Sequence, residues 1–444
     1  MVKPLLIQGG RVIDPGQGVD KVSSLLITEG KISWLGEGNP PQPDYDVLHA
    51  EGLIVCPGFI DLHCHLRQPG YEEKETIATG TLAAARGGFT TVCCMPNTSP
   101  PLDNETIIQY VKATAAKEGV VRVLPIGCVS RGRKGEELVD MGELEMAGVV
   151  AYSDDGEPVS NNQLMRQALD YSRAFNLPVI DHCENLSLSQ GGQINEGIVS
   201  LELGLRGIPA AAEETMVQRD LALARQTGGH VHIAHVSTGG SVELIRAAKE
   251  QGIPVTAEVT PHHLTLTESA ALGFNTNAKV NPPLRTKEDT RALLRGLNDA
   301  MIDIIATDHA PHTEADKNCE FTQAAFGISG FETALGSLAS LIFNSDLSLN
   351  TLIAALTTGP ARILNYEKLG TLEIGAPADI TIFDLHREWT VDPAKFASKG
   401  KNTPLAGSTL KGKVLATLFQ GQPVYIDETI EITGSPRGAK PPLY

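Results

Sequence analysis

Short apolar runs alternate with longer segments of helical period through the central part of the chain. Eight such runs occur, at 59–65, 90–95, 121–128, 149–153, 179–182, 231–236, 255–259 and 302–307. Helical periodicity is present in the segments 75–86, 161–175, 213–226, 239–251, 286–299 and 330–342. Eight strand–helix units over about 300 residues predict a (β/α)8 barrel. A doubly wound sheet is the alternative, but no Gly-rich phosphate-binding sequence begins any of these helices.

The two ends of the chain show a different pattern, in which apolar and polar residues alternate between glycine-containing turns. This alternation is typical of antiparallel strands, and it occurs in residues 1–55 and again after about residue 365. We therefore predict three segments: 1–55 as the N-terminal part of a small β-sandwich, 56–364 as the catalytic barrel, and 365–444 as the C-terminal part of the same sandwich with a tail. The Pro- and Gly-rich tail at 434–444 is expected at the surface.

Composition and charge narrow the class of protein. The 444 residues include 36 Lys and Arg against 53 Asp and Glu, which leaves a formal net charge of −17. This excess of acid argues against a nucleic-acid partner or an anionic membrane surface, because both favour a basic patch. Seven cysteines, two of them adjacent, make a poor disulfide framework and favour a reducing compartment. Since no apolar run reaches 18 residues, we expect a cytoplasmic protein.

Histidines and acids cluster where the predicted strands end, which is where barrel enzymes place their chemistry. His63 and His65 are two residues apart at the end of the first strand, so both side chains point the same way. Similar residues end four more strands, namely Asp154 and Asp155, Asp181 and His182, His230, His232 and His235, and Asp308, His309 and His312. Burying so many polar groups is costly unless something pairs with them. A metal cluster is the simplest such partner.

Some residues of this group favour a structural interpretation. For His262 and His263, which follow the seventh strand, structural hydrogen bonding is favoured over metal ligation. Asp61 and Asp181 are candidates for orienting ligand imidazoles from behind. Cys64 alternates away from the two histidines beside it, which predicts a packing role.

Nine segments form an ordered set of motifs along the chain. They are PGFIDLHCHLRQPG, MPNT, SDDG, DHCE, HIAHVST, NPPLR, ATDHAPH, FGISGFET and GTLEIGAPADITIFDL. This set resembles the amidohydrolase superfamily, and within it the bacterial type I dihydroorotases, over essentially the whole chain. Two positions depart from the usual first motif, where the family has Val in place of Cys64 and Glu in place of Gln68.

The resemblance implies a binuclear zinc centre with two Zn²⁺ per subunit. Its implied ligands are His63, His65 and Asp308 for one ion, His182 and His235 for the other, and Asp155 as the bridge. Asp154 is the rival bridge, because spacing does not separate the two neighbours, and the family pattern favours Asp155. Many relatives, hydantoinases among them, bridge with a carboxylated lysine. This chain has no lysine between Lys134 and Lys249.

The same resemblance implies a substrate site beside the metals. Its residues are His65, Leu66, Arg67, Asn97, Asn281, His312 and the Phe326–Gly327 main chain. The implied activity is the reversible cyclisation of N-carbamoyl-L-aspartate to L-dihydroorotate in pyrimidine (UMP) biosynthesis, by a zinc-activated hydroxide with Asp308 as acid–base catalyst. A guanidinium, an amide and an imidazole suit the carboxylate of that substrate.

Two alternative functions stay open at this point. One is another cyclic amidohydrolase, of the hydantoinase or allantoinase type, although the missing strand-four lysine and the set Arg67, Asn97 and His312 argue against it. The other is a non-catalytic scaffold for aspartate transcarbamoylase, which would be expected to have lost ligands that this chain keeps. We also expect a homodimer, with a complex with aspartate transcarbamoylase as a further option.

Overall fold

A computed structural model of the chain describes residues 3–38, 40–41 and 44–434. The strands of these residues are β1 Leu5–Asp14, β2 Val19–Thr28, β3 Lys31–Gly36, β4 Asp46–His49, β5 Ile54–Pro57, β6 Phe59–Cys64, β7 Phe89–Cys94, β8 Arg122–Pro125, β9 Tyr152–Ser153, β10 Val179–Asp181, β11 Ile194–Asn195, β12 Gly207–Ile208, β13 Val231–Ile233, β14 Val255–Val259, β15 Ile304–Ile305, β16 Ile380–Thr390, β17 Thr409–Phe419, β18 Gln422–Ile426 and β19 Ile432–Thr433.

The α-helices follow most of the central strands. They are α1 Ile77–Arg86, α2 Glu105–Glu118, α3 Met141–Ala147, α4 Asn162–Ser172, α5 Leu186–Ser189, α6 Ile198–Leu203, α7 Ala211–Thr227, α8 Gly239–Glu250, α9 Pro261–Thr265, α10 Lys287–Asn298, α11 Glu314–Lys317, α12 Ala334–Phe343, α13 Leu349–Leu356 and α14 Thr358–Ile363. Local signals set several ends. For example, Thr286 and Asp289 form a capping box at the start of α10.

Eight parallel strands form the barrel that the sequence predicts. They pair as β6-β7-β8 and as β9-β10-β13-β14-β15. Isolated parallel bridges, Gly127 to Tyr152 and Cys64 to His309, join the two sheets. Every residue of β6 and β7 is buried, as expected for parallel strands covered on both faces. The prediction of a (β/α)8 barrel is confirmed.

Strands β8 and β15 are shorter than the apolar runs that predict them. At the end of the third strand, the main-chain N–H of Val129 donates to the carboxylate of Asp154 at 2.9 Å. After β15, the N–H of Thr307 donates to Asp61 at 2.7 Å. The main chain therefore leaves the regular β-sheet pairing at the points where its N–H groups donate to side-chain carboxylates instead of to a neighbouring strand. These departures occur at the same end of the barrel as the clustered histidines.

The two ends of the chain meet in one hydrogen-bonded sheet of nine strands, ordered β18-β17-β16-β5-β1-β2-β3 with β4 and β19 branching from it. The branch arises at a bulge in β1, where Gly9 has a φ of 73°. Residues 5–8 pair with β4, whereas residues 11–12 pair with β5. A separate apolar core fills this unit, and residues from both chain ends, such as Leu25 and Ile380, contribute to it. The predicted composite domain is therefore present.

The exact domain limits stay a prediction. Strand β5 runs to Pro57, two residues past the predicted limit at 55, and the first barrel strand begins at Phe59. The tail predicted at the surface lies, from residue 435 onward, outside the described residues. Within the described ranges, no helix combines the length and the apolar character needed to cross a membrane.

Asp14 joins the two chain ends, and this contact generates a test of the composite sheet. The fully buried carboxylate accepts from the N–H of Leu372 at 2.6 Å and from the hydroxyl of Thr371 at 3.0 Å. Asp14→Ala leaves these buried donors without an acceptor, so the free energy of unfolding should fall by about 1–3 kcal/mol, measured by urea denaturation. The matched control is Asp20→Ala, whose exposed pair with Arg11 should contribute less than about 1 kcal/mol. Equal losses of unfolding free energy in both variants would contradict the role of Asp14 as a link between the two chain ends.

Candidate active site

Strand ends bring imidazoles and one carboxylate together at the mouth of the barrel. His63 is in β6 and Asp155 follows β9, with 3.3 Å between His63 Nε2 and Asp155 Oδ1. His235, which follows β13, places its Nε2 3.6 Å from the same oxygen. His182, which follows β10, places its Nδ1 3.9 Å from it. A single buried carboxylate oxygen therefore faces three imidazoles.

A second group of atoms shares His63 with the first. His65 Nε2 lies 2.9 Å from Oδ1 of Asp308 and 3.5 Å from Oδ2 of Asp155. The Nε2 atom of His63 lies 3.6 Å from the same Asp308 oxygen. Candidate ligand atoms of His63, His65 and Asp308 all lie within 4.8 Å of one another, as do those of His63, Asp155 and His235. Asp155 therefore lies between the two groups that the sequence assigns to separate metal ions.

The chemistry of these atoms fits a divalent metal. Nε2 of His63 and Oδ1 of Asp155 are buried and form no hydrogen bond with any described residue. Nδ1 of His182 and Nε2 of His235 lie only 2.9 Å apart. Imidazole nitrogens and carboxylate oxygens are the ligands that zinc prefers in catalytic sites. Buried polar atoms without partners cost stability unless a ligand compensates them.

The two neighbouring aspartates have separate roles. Asp154 turns away from the histidines and accepts hydrogen bonds from the main chain of Val129, at 2.9 Å, and of Ser130, at 3.1 Å. The hydroxyl of Ser130 donates to the same carboxylate. Only Asp155 of the pair faces the imidazoles. Burial would raise the pKa of Asp155, but the charge of His63 and of the neighbouring imidazoles outweighs burial and lowers that pKa well below its usual value.

A cavity of about 220 Å³ opens directly above this cluster. Its lining consists of His65, Arg67, Asn97, Asp155, Gly156, His182, His235, Val280, Asn281, Asp308, Ala310, His312, Phe326 and Gly327. The lining therefore includes the residues that the sequence assigns to the substrate, with the exception of Leu66. The side chain of Leu66 packs in the barrel core, so it does not line the cavity.

Arg67 presents a cation to this cavity with few partners of its own. Its Nε donates to the carbonyl of Pro311 at 3.3 Å, and Nη2 lies 3.4 Å from Nε2 of His312. No acidic side chain within the described residues forms an ion pair with it. Burial lowers the pKa of this guanidinium, although the charges of Asp308 and other acids oppose that effect. An anionic group entering the cavity would therefore meet a guanidinium that has no direct carboxylate partner among the described residues.

The comparisons with known proteins agree with this geometry. A dihydro-orotase-like family model matches residues 52–241, and an amidohydrolase family model matches residues 201–425. The chain is 54% identical to a dihydroorotase of Pelotomaculum thermopropionicum, over 96% of this chain and 99% of that one. It is 51% identical to a dihydroorotase of Syntrophus aciditrophicus, over 96% of this chain and 100% of that one. The chain belongs to the dihydroorotase family.

Solved structures share the fold of this dihydroorotase-family chain. An L-hydantoinase (dihydropyrimidinase) from Arthrobacter aurescens superposes with a TM-score of 0.87 at 24% identity, covering 97% of this chain and 98% of that one. A dihydropyrimidinase from Brevibacillus agri gives 0.84 at 23% identity, covering 96% and 95%. At this level of identity the likeness concerns the fold alone. It supports the barrel and its attached sheet.

Further polar residues hold the imidazoles from behind, and sequence reasoning missed two of them. Nδ1 of His63 lies 2.6 Å from Oε1 of Glu258, and Nε2 of His182 lies 3.0 Å from Oε2 of Glu184. Asp61, which the sequence suggested for this role, bonds instead to Thr307. The missed signal was a lone acid in the apolar run 255–259. Burial would raise the pKa of Glu258, but the neighbouring histidines outweigh burial and lower that pKa to about 2.

Asn97 and Asn281 also contact the histidines rather than only the cavity. Oδ1 of Asn97 lies 2.9 Å from Nδ1 of His65 and accepts a hydrogen bond from the N–H at that position. The amide of Asn281 donates to Glu184 at 2.8 Å and lies 3.2 Å from Nε2 of His182. Both amides therefore fix imidazole orientation as well as lining the space for a substrate.

Asn402, from the C-terminal segment, reaches the barrel mouth and holds two of the expected substrate groups. Its side-chain oxygen accepts from the N–H of His312 at 2.9 Å, and its amide donates to the carbonyl of Gly327 at 3.0 Å. Lys317 donates to the same carbonyl at 3.0 Å, and burial lowers the pKa of this lysine to about 7. No motif at the expected strand ends indicated either residue, because Asn402 approaches the site from a loop and Lys317 from the last position of the short helix α11.

The two histidines that follow β14, His262 and His263, differ in their hydrogen bonds. Nδ1 of His263 bonds the hydroxyl of Thr260 at 2.7 Å, and its Nε2 bonds the carbonyl of Pro282 at 3.0 Å. This is the structural hydrogen bonding that the sequence favoured for His263. The ring of His262 is buried, and its Nε2 forms no hydrogen bond within the described part of the chain.

Several site residues adopt a main-chain conformation that is unfavourable for residues other than glycine. The φ angles of Arg67, His235 and Asp308 are 60°, 32° and 45°. Left-handed conformations of this kind cost of order 1–3 kcal/mol each and cluster at functional sites. The rest of the fold therefore compensates for an unfavourable backbone conformation at the residues whose side chains it directs into the site.

The orientations of the two neighbouring aspartates generate a direct test. Asp155→Asn removes the charge that faces three imidazoles, so metal bound per chain should fall, together with catalytic rate. Metal content is measured by atomic absorption after dialysis. Asp154→Asn is the matched control, because its remaining oxygen can still accept from Val129 and Ser130. Loss of metal from the Asp154 variant alone would mean that Asp154, and not Asp155, faces the metal.

Proposed function

We propose that the protein catalyses the reversible cyclisation of N-carbamoyl-L-aspartate to L-dihydroorotate, as a zinc-dependent cyclic amidohydrolase of pyrimidine (UMP) biosynthesis. Full-length similarity to dihydroorotases supports this function. The observation on which the substrate assignment depends is the half-buried guanidinium of Arg67, which lines the cavity beside the histidine–aspartate cluster and has no ion-pair partner among the described residues. Dihydroorotate bears a carboxylate next to its ring, which this cation would bind.

The proposed cofactor is a pair of zinc ions. His63, His65 and Asp308 would hold one ion, His182 and His235 would hold the other, and Asp155 would bridge them. The distances between their ligand atoms, such as 3.3 Å from His63 to Asp155 and 2.9 Å from His65 to Asp308, support this division. Bound zinc lowers the pKa of a water from 15.7 to about 7 and polarises a carbonyl, which supplies a nucleophile at neutral pH.

Asp308 is the proposed acid–base catalyst. Its carboxylate lines the cavity, and its Oδ1 lies 2.9 Å from Nε2 of His65. In the hydrolytic direction it would take the proton of the attacking water and deliver it to the departing ring nitrogen. In the cyclisation direction it would remove the proton of the ureido nitrogen. The left-handed backbone at Asp308 directs the side chain toward the cavity.

The substrate carboxylate would bind beside Arg67 and His312, whose nearest nitrogens are 3.4 Å apart. Nε2 of His312 also bonds the carbonyl of Phe326 at 2.8 Å, so the imidazole is positioned before the substrate binds. Asn97 and Asn281 line the same cavity. This arrangement distinguishes the proposal from a hydantoinase or allantoinase, whose ring substrates lack that carboxylate.

The non-catalytic alternative is disfavoured, because the chain keeps each candidate ligand and brings them together. We further propose that the protein is cytoplasmic, since its seven cysteines are all free thiols. A homodimer, and a complex with aspartate transcarbamoylase, are also proposed. Light scattering of the protein alone, and co-elution with the transcarbamoylase, would test these two assemblies.

Replacing Arg67 tests the substrate assignment. Arg67→Met removes a charge-assisted contact worth about 1.5–3 kcal/mol, so kcat/KM for dihydroorotate should fall at least ~10-fold. Dihydrouracil lacks the carboxylate and should be a poor substrate of both proteins. The ratio of kcat/KM for dihydroorotate to kcat/KM for dihydrouracil should therefore fall sharply in the variant. Arg86→Met is the control, since Arg86 lies outside the cavity. An unchanged ratio, or a wild-type preference for dihydrouracil or hydantoin, would favour the hydantoinase alternative.

Replacing Asp308 tests the proton transfer. Asp308→Asn should lower kcat about 10²–10⁴-fold, because it removes the group that moves the proton. KM should change much less. The metal content of the same sample must be measured, since Asp308 is also a proposed ligand. A variant with normal zinc and a near-normal rate would remove Asp308 from the catalytic step.

A further inference from the structure

A chain of buried and half-buried polar side chains runs from the candidate metal cluster down the inside of the barrel. It consists of His63, Glu258, His232, Thr256 and His230, and we call it the polar column. We propose that Glu258 is a positioning residue that selects the metal-binding tautomer of His63, and that the polar column holds Glu258 in place. This inference rests on the metal site of the proposed function and assigns a role to residues outside its ligand set.

Distances along the polar column are those of continuous hydrogen bonding. Oε1 of Glu258 lies 2.6 Å from Nδ1 of His63, and Oε2 lies 3.1 Å from Nε2 of His232. Nδ1 of His232 lies 2.8 Å from Oγ1 of Thr256, and the same oxygen lies 2.8 Å from Nε2 of His230. His63, Glu258 and His232 are 0% exposed. The two contacts of Glu258 therefore form within the buried interior, where hydrogen bonds are strong, whereas Thr256 and His230 are half-buried.

The capacity of each group to donate or accept determines the protons near the metal site. A carboxylate only accepts, so both imidazoles that contact Glu258 must present N–H to it. His63 therefore holds its proton on Nδ1, away from the metal site. If the ring is neutral, its Nε2 then presents a lone pair. This is the atom that lies 3.3 Å from Asp155 and 3.6 Å from Asp308.

The lower part of the polar column has one arrangement that satisfies every neutral imidazole. With Nε2–H of His232 donated to Glu258, its Nδ1 must accept from the hydroxyl of Thr256. The oxygen of Thr256 is then free to accept from Nε2–H of His230. Burial lowers the pKa of His230 to about 4, which is consistent with a neutral ring there. The residue precedes β13, so the polar column ends at the opposite mouth of the barrel.

Glu258 also contacts a second candidate ligand. The main-chain N–H of His235 donates to Oε1 of Glu258 at 3.1 Å. This is the residue whose φ of 32° is unfavourable outside glycine. One carboxylate oxygen therefore holds the ring of His63 and the backbone of His235. Groups that hold metal ligands in this way commonly contribute 10–100-fold to metal affinity.

The test measures zinc affinity, because that quantity separates positioning from general support of the fold. Glu258→Gln keeps the size of the side chain but removes its charge and one of its two acceptors. We expect the Kd for zinc, determined by competition with a chromophoric chelator on the full chain, to rise about 10–100-fold. The visible absorption of the cobalt-loaded variant should differ from that of wild type, since ligand geometry changes.

Two further variants keep the inference falsifiable if Glu258→Gln folds poorly. His232→Phe removes the donor to Glu258 without touching a ligand, and zinc affinity should also fall, by less than the about 10–100-fold expected when a direct partner of a ligand is replaced. The control is Asp14→Asn, another fully buried carboxylate that accepts main-chain donors but lies in the composite sheet. It should lower the free energy of unfolding and leave the zinc Kd unchanged.

The outcomes separate this inference from the proposed function. Wild-type zinc affinity in both Glu258→Gln and His232→Phe would overturn the positioning role. A matching loss of affinity in Asp14→Asn would also overturn it, because general destabilisation would then explain the effect. If the wild-type protein bound no zinc, the proposed function itself would fail.

Discussion

Electrostatic compensation in a dry barrel mouth is the constraint on which the remaining structure depends. His63, His65, His182 and His235 share that space with Asp155 and Asp308, and all are buried. Unpaired polar atoms in such a place are costly. Two features of the structure compensate for this cost. On one side, the ligand atoms of the cluster face a common space that fits metal ions. On the other side, carboxylates and amides of the barrel bind the imidazoles.

The polar groups that face the cavity beyond this cluster depend on how the barrel mouth and the C-terminal segment are arranged. Arg67 lies beyond the cluster with a half-buried guanidinium and no ion-paired acid among the described residues. His312 and the main chain of Gly327 are held by Asn402, which belongs to the segment that follows the barrel. The C-terminal segment therefore contributes to the composite sheet and also positions the cavity wall. This explains why two chain ends, distant in sequence, belong to one functional unit.

Much of the site could be predicted because strand geometry is periodic and local. The alternation of side chains along β6 places His63 and His65 on one side, and parallel strands bring their ends to the same mouth. The same reasoning did not choose between Asp154 and Asp155, since two neighbours after a two-residue strand have no fixed parity. Their orientations depend on main-chain donors of Val129 and Ser130, which come from the preceding strand end.

By itself, the sequence predicted the barrel and the composite sheet from local periodicity, the clustering of histidines and acids from their positions at strand ends, and the lack of a strand-four lysine from composition. The assignment of particular residues as metal ligands followed from the family resemblance. Only the tertiary structure decided which groups hold those residues. Glu258 contacts His63 across 195 positions of the chain, and Asn402 contacts His312 across 90. Contacts of this range leave no periodic trace in a single sequence, because they depend on how the strands and loops pack in three dimensions.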